Sequence, residues 1–305
     1  MRALVLFLFI SATAGAQSPA PALTPSPTPT ARPNIVFVVL DDLDAESLRA
    51  MPKVRRLVEE QGGVFRQSFV SVPLCAPARA SILTGQYAHN HGLLGNVGGA
   101  AGFERFQAGG HEQASVAPWL KAAGYRTLLA GKYMNHYPAG AKPHYVPPGW
   151  DDWHAILEDR PAGNVGYWMN ENGKLVKPPE YQTEKLAGVV ESFVRETAGK
   201  APFFVYLAPG APHMPAEPSP RHAALFPDEA APRTPAFDEE DLSDKPAWLR
   251  RADPLNSGDT RRIDRFYRRR LQTLAAADEL VERVFRALEQ AGQLERTWVF
   301  FTSDN

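Results

Sequence analysis

The only cysteine of the chain begins a motif whose residue types could carry out nucleophilic chemistry. Residues 75–85 read CAPARASILTG. Proline in a first helical turn and glycine after the last turn predict a short helix that begins at Cys75. Backbone N–H groups and the helix dipole favour an anion at such a beginning. Because a lone cysteine is also commonly an inert core residue, the motif alone leaves both interpretations open.

Other polar side chains with chemical potential come directly after predicted strands. They are Asp41, Asp42, Lys132, His213, Asp304 and Asn305. The carboxyl ends of parallel strands share one edge of a sheet, where ligands bind, so we expect these side chains to meet there. Carboxylate and amide oxygens from two strand ends would suit a hard divalent cation. Taken singly, the acids also fit a turn or helix cap, Lys132 a solvated charge, and His213 a loop residue bonded to backbone.

The elements that must position these residues alternate between apolar strands and amphipathic helices. Predicted strands cover 34–40, 64–70, 125–130, 203–207 and 297–302, and predicted helices cover 52–61, 115–123, 181–197 and 263–290. Such alternation predicts an α/β fold with a mostly parallel central sheet flanked by helices on both faces. The proline-rich stretch 209–254 is predicted to be a long ordered excursion over the ligand edge.

Composition places the chain among soluble globular proteins. Its 305 residues include 33 Lys+Arg and 34 Asp+Glu, with 44% hydrophobic residues, which excludes a disordered, coiled-coil or collagen-like protein. A formal net charge of -1 gives little support to nonspecific nucleic-acid binding. A single cysteine excludes an internal disulfide framework and a Cys-rich zinc site.

The beginning of the chain predicts export. Residues 1–16 have an apolar run and a small-residue cleavage site, as in a secretory signal peptide, and residues 17–32 form a Pro-rich linker. We therefore expect a secreted or periplasmic protein with no membrane span after signal cleavage, and a catalytic domain over 33–305. A predicted core strand lies three residues from Asn305, so we expect the chain to be incomplete at its C-terminus.

The motif Cys-x-Pro-x-Arg followed by Leu-Thr-Gly resembles the signature of the type I sulfatases of the alkaline phosphatase superfamily. The resemblance implies that a formylglycine-generating enzyme oxidises Cys75 to 3-oxoalanine (formylglycine). The hydrated aldehyde would attack the sulfur of a sulfate ester with one hydroxyl, and the second hydroxyl would then expel sulfate. Arg79 would orient this hydrate and offset its negative charge.

The same resemblance implies a metal site and two sulfate-binding residues. Asp41, Asp42, Asp304 and Asn305, together with the group derived from Cys75, would bind one Ca²⁺ ion. Lys132 would point at a sulfate oxygen, and His213 would contact the sulfate or protonate the leaving oxygen. The resemblance also implies a smaller C-terminal domain, and we expect it to lie beyond residue 305.

Two looser matches indicate the branch that acts on N-acetylglucosamine 6-sulfate. Gly131-Lys132-Tyr133-Met134-Asn135 resembles the Gly-Lys-Tyr-x-Asn pattern of that branch and adds Asn135 as a candidate site residue. Many sulfatases have histidine where this chain has Met134. Residues 145–151, YVPPGWD, also resemble the branch. The expected substrate is therefore a sulfate monoester of an amino sugar or sulfated glycan.

Alternatives to this function remain at the level of sequence. A phosphonate or phosphodiester hydrolase of the same superfamily could use a similar nucleophile and metal. An inactive secreted fragment that binds metal or glycan would instead keep Cys75 unmodified. The basic run 261–270 suggests polyanion binding, but a solvated helix face is the plainer interpretation.

Overall fold

A seven-stranded sheet forms the centre of the molecule, which is a computed structural model describing residues 32–98, 101–159 and 163–305. The strands are β1 Asn34–Leu40, β2 Arg126–Gly131, β3 Asp152–Ile156, β4 Met169–Glu171, β5 Lys174–Val176, β6 Phe203–Ala208 and β7 Thr297–Ser303. Their order is β5-β4-β3-β2-β6-β1-β7. The five strands from β3 to β7 in this order are parallel, whereas β4 and β5 form an antiparallel hairpin at the edge.

Seven α-helices accompany the sheet in the described part of the chain. They are α1 Pro52–Val54, α2 Cys75–Thr84, α3 Ala88–His91, α4 Gly102–Ala108, α5 Val116–Ala122, α6 Gln182–Thr197 and α7 Ser257–Gln290. A π-helical stretch, Arg55–Glu59, continues α1. Short 3-10 helices occur at Ser47–Ala50, Leu249–Arg251 and Leu294–Arg296.

Each face of the sheet has its own hydrophobic core. On one face, Val36 and Val38 of β1 share a core with Val190 of α6 and Leu274 of α7. On the other face, Val39 packs with residues of α2, α4 and α5 and with the aromatic side chains that follow β2. Because β1 lies between β6 and β7 and is covered on both sides, its nearly continuous apolar sequence is what such a strand requires. This three-layer arrangement confirms the predicted fold class.

One predicted strand is wrong. Residues 64–70 form no strand, and Phe65 and Phe69 are 85% and 87% exposed. None of the seven strands of the described sheet pairs with this segment. An isolated strand leaves its backbone N–H and C=O groups unpaired, so an apolar β-rich sequence does not suffice to form one.

The longest helix begins earlier than the sequence predicts. The periodic apolar pattern starts at Ile263, but α7 starts at Ser257. Its beginning is fixed by a capping box. Asn256 Oδ1 accepts from Asp259 N at 3.1 Å, and Asp259 Oδ2 accepts from Asn256 N at 3.3 Å. The first two turns are polar and largely exposed, so periodicity alone does not detect them.

The segment 209–254 joins β6 to α7 and is ordered against that helix. Gln272 of α7 donates to the carbonyls of Ala223 and Leu225 at 2.9 and 2.8 Å, and Arg268 donates to the Glu229 carbonyl at 2.8 Å. These bonds satisfy loop carbonyls that lack a strand partner.

The predicted signal peptide and nearly all of the predicted linker lie outside the described residues. Within the described ranges, no helix has both the length and the apolar character that crossing a membrane requires.

Candidate active site

Cys75 is the first residue of α2 and lies at the carboxyl edge of the sheet. Leu74 before it is extended, and Gly85 ends the helix in the left-handed region at φ 69°. The next N–H of the helix, from Ala76, donates to Asn96 Oδ1 at 2.8 Å. Cys75 is buried, with 4% exposure. The predicted helix therefore forms with Cys75 at its N-terminus.

The end of β1 brings two carboxylates to Cys75. Asp41 is buried, and its N–H donates to the Ala211 carbonyl at 3.2 Å. Asp42 adopts a left-handed conformation with φ 61°. Its Oδ1 lies 3.7 Å from Cys75 Sγ.

The end of β7 adds the acid and amide that the sequence predicts there. Asp304 N donates to the Leu40 carbonyl at 3.0 Å, which extends the β1–β7 register by one residue. Asp304 Oδ1 in turn accepts from Asp42 N at 3.1 Å. Asn305 Nδ2 lies 3.1 Å from Asp42 Oδ1 and 3.9 Å from Cys75 Sγ. Residues more than 200 positions apart in sequence thus share one site.

Two buried cations face these carboxylates. Arg79 is completely buried, with Nε donating to Asp304 Oδ2 at 2.9 Å and Nη1 to the Lys132 carbonyl at 3.1 Å. Its Nη2 lies 3.4 Å from Asp41 Oδ1. Lys132 Nζ donates to the other Asp41 oxygen at 2.7 Å.

Gly131 makes the position of Lys132 possible. Its φ is 116°, and a Cβ at this residue would lie 2.0 Å from the Ala208 carbonyl oxygen. Only glycine lets the end of β2 approach β6 this closely. Lys132 N then donates to the same carbonyl at 2.7 Å, and its ammonium turns toward Asp41.

His213 lies at the open side of the cluster. Its Nδ1 is 2.6 Å from the Met214 carbonyl oxygen, and because a carbonyl only accepts, Nδ1 carries a proton. Its Nε2 is 3.6 Å from Asp42 Oδ2. The second nitrogen therefore faces Asp42 on the open side of the cluster.

A cavity of about 180 Å³ opens from this cluster. Asp41, Lys132 and His213 line one part of it, and Glu158 and Gln182 are among the residues that line the rest. The polar lining suits a ligand with several hydrogen-bonding groups.

The side chain of Asn135 makes no hydrogen bond or ion pair with the other predicted site residues in the described part of the chain. Its carbonyl accepts from Phe103 N at 2.9 Å, and its Oδ1 is buried with no hydrogen-bond partner in the described part of the chain. Within the same ranges, no hydrogen bond connects its side chain to Cys75, Arg79 or Lys132.

Sequence reasoning missed several residues that build or line the site. Asn96 lies in a loop without a motif, Glu158 and Gln182 lie in segments with no chemical signature, and Arg270 is hidden among other arginines. Only the basic run 261–270 carried any signal, and it did not distinguish which arginine reaches the site.

Burial and charge determine the protonation of the cluster. Burial would raise the pKa of Asp41, but the charges of Lys132 and Arg79 outweigh it and hold this pKa well below its usual range. For Asp304, burial dominates and raises the pKa, with a further contribution from the Asp41 carboxylate. Burial, assisted by the nearby carboxylates, also raises the pKa of the Cys75 thiol to about 11. An unmodified Cys75 is therefore a neutral thiol near pH 7.

The donor set fits a divalent cation. Cys75 Sγ belongs to two sets of possible metal ligands. One set includes Asp42 and His213, the other Asp41 and Asp304, and within each set the ligand atoms lie within 4.8 Å of one another. Asp41 Oδ1 is buried without a hydrogen bond in the described part of the chain. The three carboxylates lie close together and have only two basic side chains beside them. A cation bound to the carboxylate oxygens that lack hydrogen bonds would reduce the repulsion among the carboxylates.

Comparisons with known proteins agree with this geometry. The profile of the sulfatase family matches residues 33–305. The extracellular sulfatase SULF-1 homolog of Drosophila melanogaster is 34% identical over 284 residues, which cover 90% of this chain and 25% of that protein. N-acetylglucosamine-6-sulfatase of Homo sapiens is 34% identical over 286 residues, which cover 90% of this chain and 51% of that protein. The chain thus spans about a quarter to a half of the length of these relatives.

A solved structure shares the fold. It is a protein in complex with its substrate D-glucosamine-2-N,6-O-disulfate, with a TM-score of 0.66 and 22% sequence identity, covering 90% of this chain and 65% of that chain. The family match covers nearly all of the described residues, and the sheet, the helices and the cluster around Cys75 lie within it. The chain therefore belongs to the sulfatase family.

Proposed function

We propose that the protein hydrolyses sulfate monoesters, with residue 75 as the nucleophile after oxidation to 3-oxoalanine. The observation that carries this proposal is the convergence of Cys75, Asp42 and Asn305 at one edge of the sheet, with Sγ 3.7 Å from the carboxylate and 3.9 Å from the amide. A buried thiol with a raised pKa is a weak nucleophile, so this environment suits a modified residue better than a free cysteine.

A single Ca²⁺ ion would be held by the acid and amide oxygens of two strand ends together with residue 75. The ligands would be Asp41, Asp42, Asp304 and Asn305. When bound, this ion supplies Lewis-acid polarisation of the sulfate oxygens and lowers the pKa of an attacking hydroxyl. The Asn305 amide nitrogen lies beside the carboxylates of Asp42 and Asp304. A rotation that exchanges the amide nitrogen and oxygen would place the oxygen beside these carboxylates, where the ion is proposed to bind.

The protein side chains around residue 75 would orient the reacting groups. After oxidation and hydration, one hydroxyl of residue 75 would be the nucleophile toward sulfur, and the second would lose its proton as sulfate leaves and the aldehyde forms again. Arg79, which is fixed by Asp304, would orient the hydroxyls of residue 75 and offset their negative charge. Lys132 lines the cavity and would bind a sulfate oxygen. In its imidazolium form, with Nδ1–H bonded to the Met214 carbonyl, His213 would give the Nε2 proton to the sugar oxygen as the bond from sulfur to that oxygen breaks.

Asn135 would be a further residue that binds the substrate. Its buried Oδ1 lacks a hydrogen-bond partner in the described part of the chain, so it has capacity for a ligand. We keep it as a substrate-binding candidate.

The proposed substrate is an amino sugar or sulfated glycan that carries a 6-sulfate. One relative is named N-acetylglucosamine-6-sulfatase, and the polar cavity beside Lys132 and His213 suits a sugar. We further propose that residues 33–305 are the N-terminal part of the catalytic domain, preceded by a signal peptide over 1–16 and a linker over 17–32. A relative named as extracellular supports export to the periplasm or the medium. A formylglycine-generating enzyme would be the partner that oxidises Cys75.

The chemistry of residue 75 is tested by peptide mass spectrometry on full-length protein from its native host. Conversion of the thiol to an aldehyde lowers the mass by about 18 Da. A mass loss at this residue supports the proposed nucleophile. An unmodified thiol in host-made protein would overturn it and would favour a binding function.

The substrate is tested by measuring sulfate release from N-acetylglucosamine 6-sulfate and from an aryl sulfate, and release of the phenol from a matched aryl phosphonate monoester. We expect the sugar to have the highest kcat/KM, and Cys75→Ala to remove turnover of all three. Equal or better turnover of the aryl sulfate would exclude the amino-sugar assignment. Preference for the phosphonate would instead indicate a phosphonate hydrolase.

A further inference from the structure

Arg270 is the one arginine of the basic run 261–270 that reaches the active-site edge in the described structure. It lies on α7, and its side chain is 15% exposed. Its Nη2 donates to the main-chain carbonyl of Asp42 at 2.6 Å and to Asp44 Oδ2 at 3.1 Å. Its position therefore differs from that of a solvated helix face, which is the plainer sequence interpretation of this run.

The contact falls on the most unusual backbone conformation of the site. Asp42 has φ 61°, in the left-handed region that a residue other than glycine adopts only when its surroundings hold it there. This conformation turns the Asp42 carbonyl away from the direction of β1. Because the next residue no longer continues the β1 ladder, the carbonyl needs another donor, and Arg270 supplies it.

The same conformation directs the Asp42 side chain. With its N–H bonded to Asp304 at 3.1 Å and its carbonyl bonded to Arg270, Asp42 is fixed on both sides. Its carboxylate then lies beside Cys75, Asn305 and His213. Relaxation to the extended region would turn this carboxylate away from them.

The loop after Asp42 is held by the same guanidinium. Asp44 accepts from Ser47 N at 2.8 Å with one oxygen and from Arg270 with the other. Arg270 thus connects α7 to both ends of the turn 42–44.

We propose that Arg270 is a positioning residue that holds Asp42 in the conformation required to bind the metal. This inference rests on the Ca²⁺ site described under the proposed function. Arg270 contacts no reacting atom and acts only through Asp42. Its positive charge by itself opposes a nearby cation, so positioning and charge predict opposite effects when it is removed.

The test is calcium binding by full-length protein, measured by isothermal titration of chelator-treated samples with CaCl₂. Arg270→Met should weaken Ca²⁺ binding about 10- to 100-fold, as loss of a side chain that orients a metal ligand commonly does. Arg270→Lys keeps the charge and one donor on a shorter side chain, so it should bind Ca²⁺ more tightly than Arg270→Met. Arg269→Met, at an exposed position of the same helix, is the matched control and should change the affinity less than about twofold.

Several outcomes separate the inference from its foundation. Tighter or unchanged Ca²⁺ binding by Arg270→Met would overturn the positioning role, because only the charge effect would remain. No Ca²⁺ binding by the unsubstituted protein would overturn the metal site itself, and the inference with it. Thermal unfolding of each variant with chelator identifies a general folding defect. If Arg270→Met does not fold, Arg270→Gln, which is polar, uncharged and two atoms shorter, takes its place, and Ca²⁺ affinity equal to or above that of the unsubstituted protein overturns the inference.

Discussion

Arg79 is a charged side chain with no access to solvent, so only its protein partners can offset the free-energy cost of burying its charge. Taking a guanidinium out of water is costly unless carboxylates and hydrogen bonds replace the lost hydration. Asp304, the Lys132 carbonyl and Asp41 supply these partners at 2.9, 3.1 and 3.4 Å. Loss of Arg79 would leave two buried carboxylates short of a counter-charge.

We expect Arg79→Met to lower the free energy of unfolding by about 3–5 kcal/mol in the presence of chelator, as is typical when one partner of a buried ion pair is removed. Urea denaturation measures this change. Arg262→Met removes an exposed arginine that pairs with Asp259 at 2.8 Å and should cost less than about 1 kcal/mol. Similar losses in the two variants would contradict the proposed role of burial.

Glu112 is a buried acidic side chain, and it makes no ion pair with a basic side chain in the described part of the molecule. It is 1% exposed, and its Oε2 accepts from Tyr145 Oη at 2.7 Å. Burial raises the pKa of Glu112 above its usual value, although hydrogen bonds from Tyr145 and its neighbours oppose this. A raised folded-state pKa means that folding takes up a proton.

The pH dependence of Glu112→Gln follows from that sign. The contribution of Glu112 to stability is complete below its unfolded-state pKa of about 4.3 and is lost as the pH rises through the higher folded-state value. Glutamine does not titrate, so the variant does not lose this contribution. The unfolding free energy of the variant minus that of wild type should therefore increase as the pH rises from about 4 to about 7. Urea denaturation across this range measures the difference, and a difference independent of pH would contradict the prediction.

At the scale of elements, α7 organises much of one face of the molecule. Its buried Asp278 accepts from Lys53 N at 3.1 Å and from Val54 N at 2.8 Å. Pro52 begins α1 and has no N–H, so these are the first free donors of that helix. A residue of one helix therefore caps the N-terminus of another.

We expect Asp278→Ala to cost about 2 kcal/mol of unfolding free energy, since it leaves these two N–H groups without an acceptor. Asp278→Asn keeps one of the two oxygens and should cost less. Glu289→Ala removes an exposed acid near the end of the same helix and should change stability by less than about 0.5 kcal/mol. Chemical denaturation orders the three variants, and an equal effect of Asp278→Ala and Glu289→Ala would argue against the cap.

At the scale of the whole molecule, the parallel sheet decides which distant residues meet. The loop after β6 pairs with the end of β1, with Asp41 N bonded to the Ala211 carbonyl, and the end of β7 pairs with β1 on its other side. The three segments are therefore coupled through the strand that carries Asp41 and Asp42. A ligand that binds at this edge is expected to stabilise the fold as a unit.

Ca²⁺ should accordingly raise the melting temperature of full-length protein relative to a chelator-treated sample. Binding to the native state alone adds about 2.7 kcal/mol at a free Ca²⁺ concentration of 100 times Kd, which corresponds to several degrees. Differential scanning fluorimetry with increasing CaCl₂ measures the shift. Asp42→Ala should largely remove it, whereas a shift of the same size in this variant would exclude Asp42 as a ligand.

The sequence by itself determined the features that depend on neighbouring residues. Continuous apolar runs predicted β1, β2 and β6, because strands buried on both faces need no polar alternation. A similar run predicted β7, which is an edge strand and is partly exposed. Polar residues that directly follow these runs then had to share one edge of the sheet. The residues 75–85 predicted α2 from its proline and glycine, and this helix forms.

Only the tertiary structure decided the features that depend on a partner distant in sequence. Residues 64–70 have the composition of a strand but lack a described partner. Asn135 follows Lys132 closely, yet its buried Oδ1 has no hydrogen-bond partner in the described part of the chain. Arg270 is indistinguishable from its arginine neighbours until α7 is packed against the turn after β1. Strand pairing and side-chain contacts of this kind depend on the register of elements separated by up to hundreds of residues, and local sequence patterns do not contain that register.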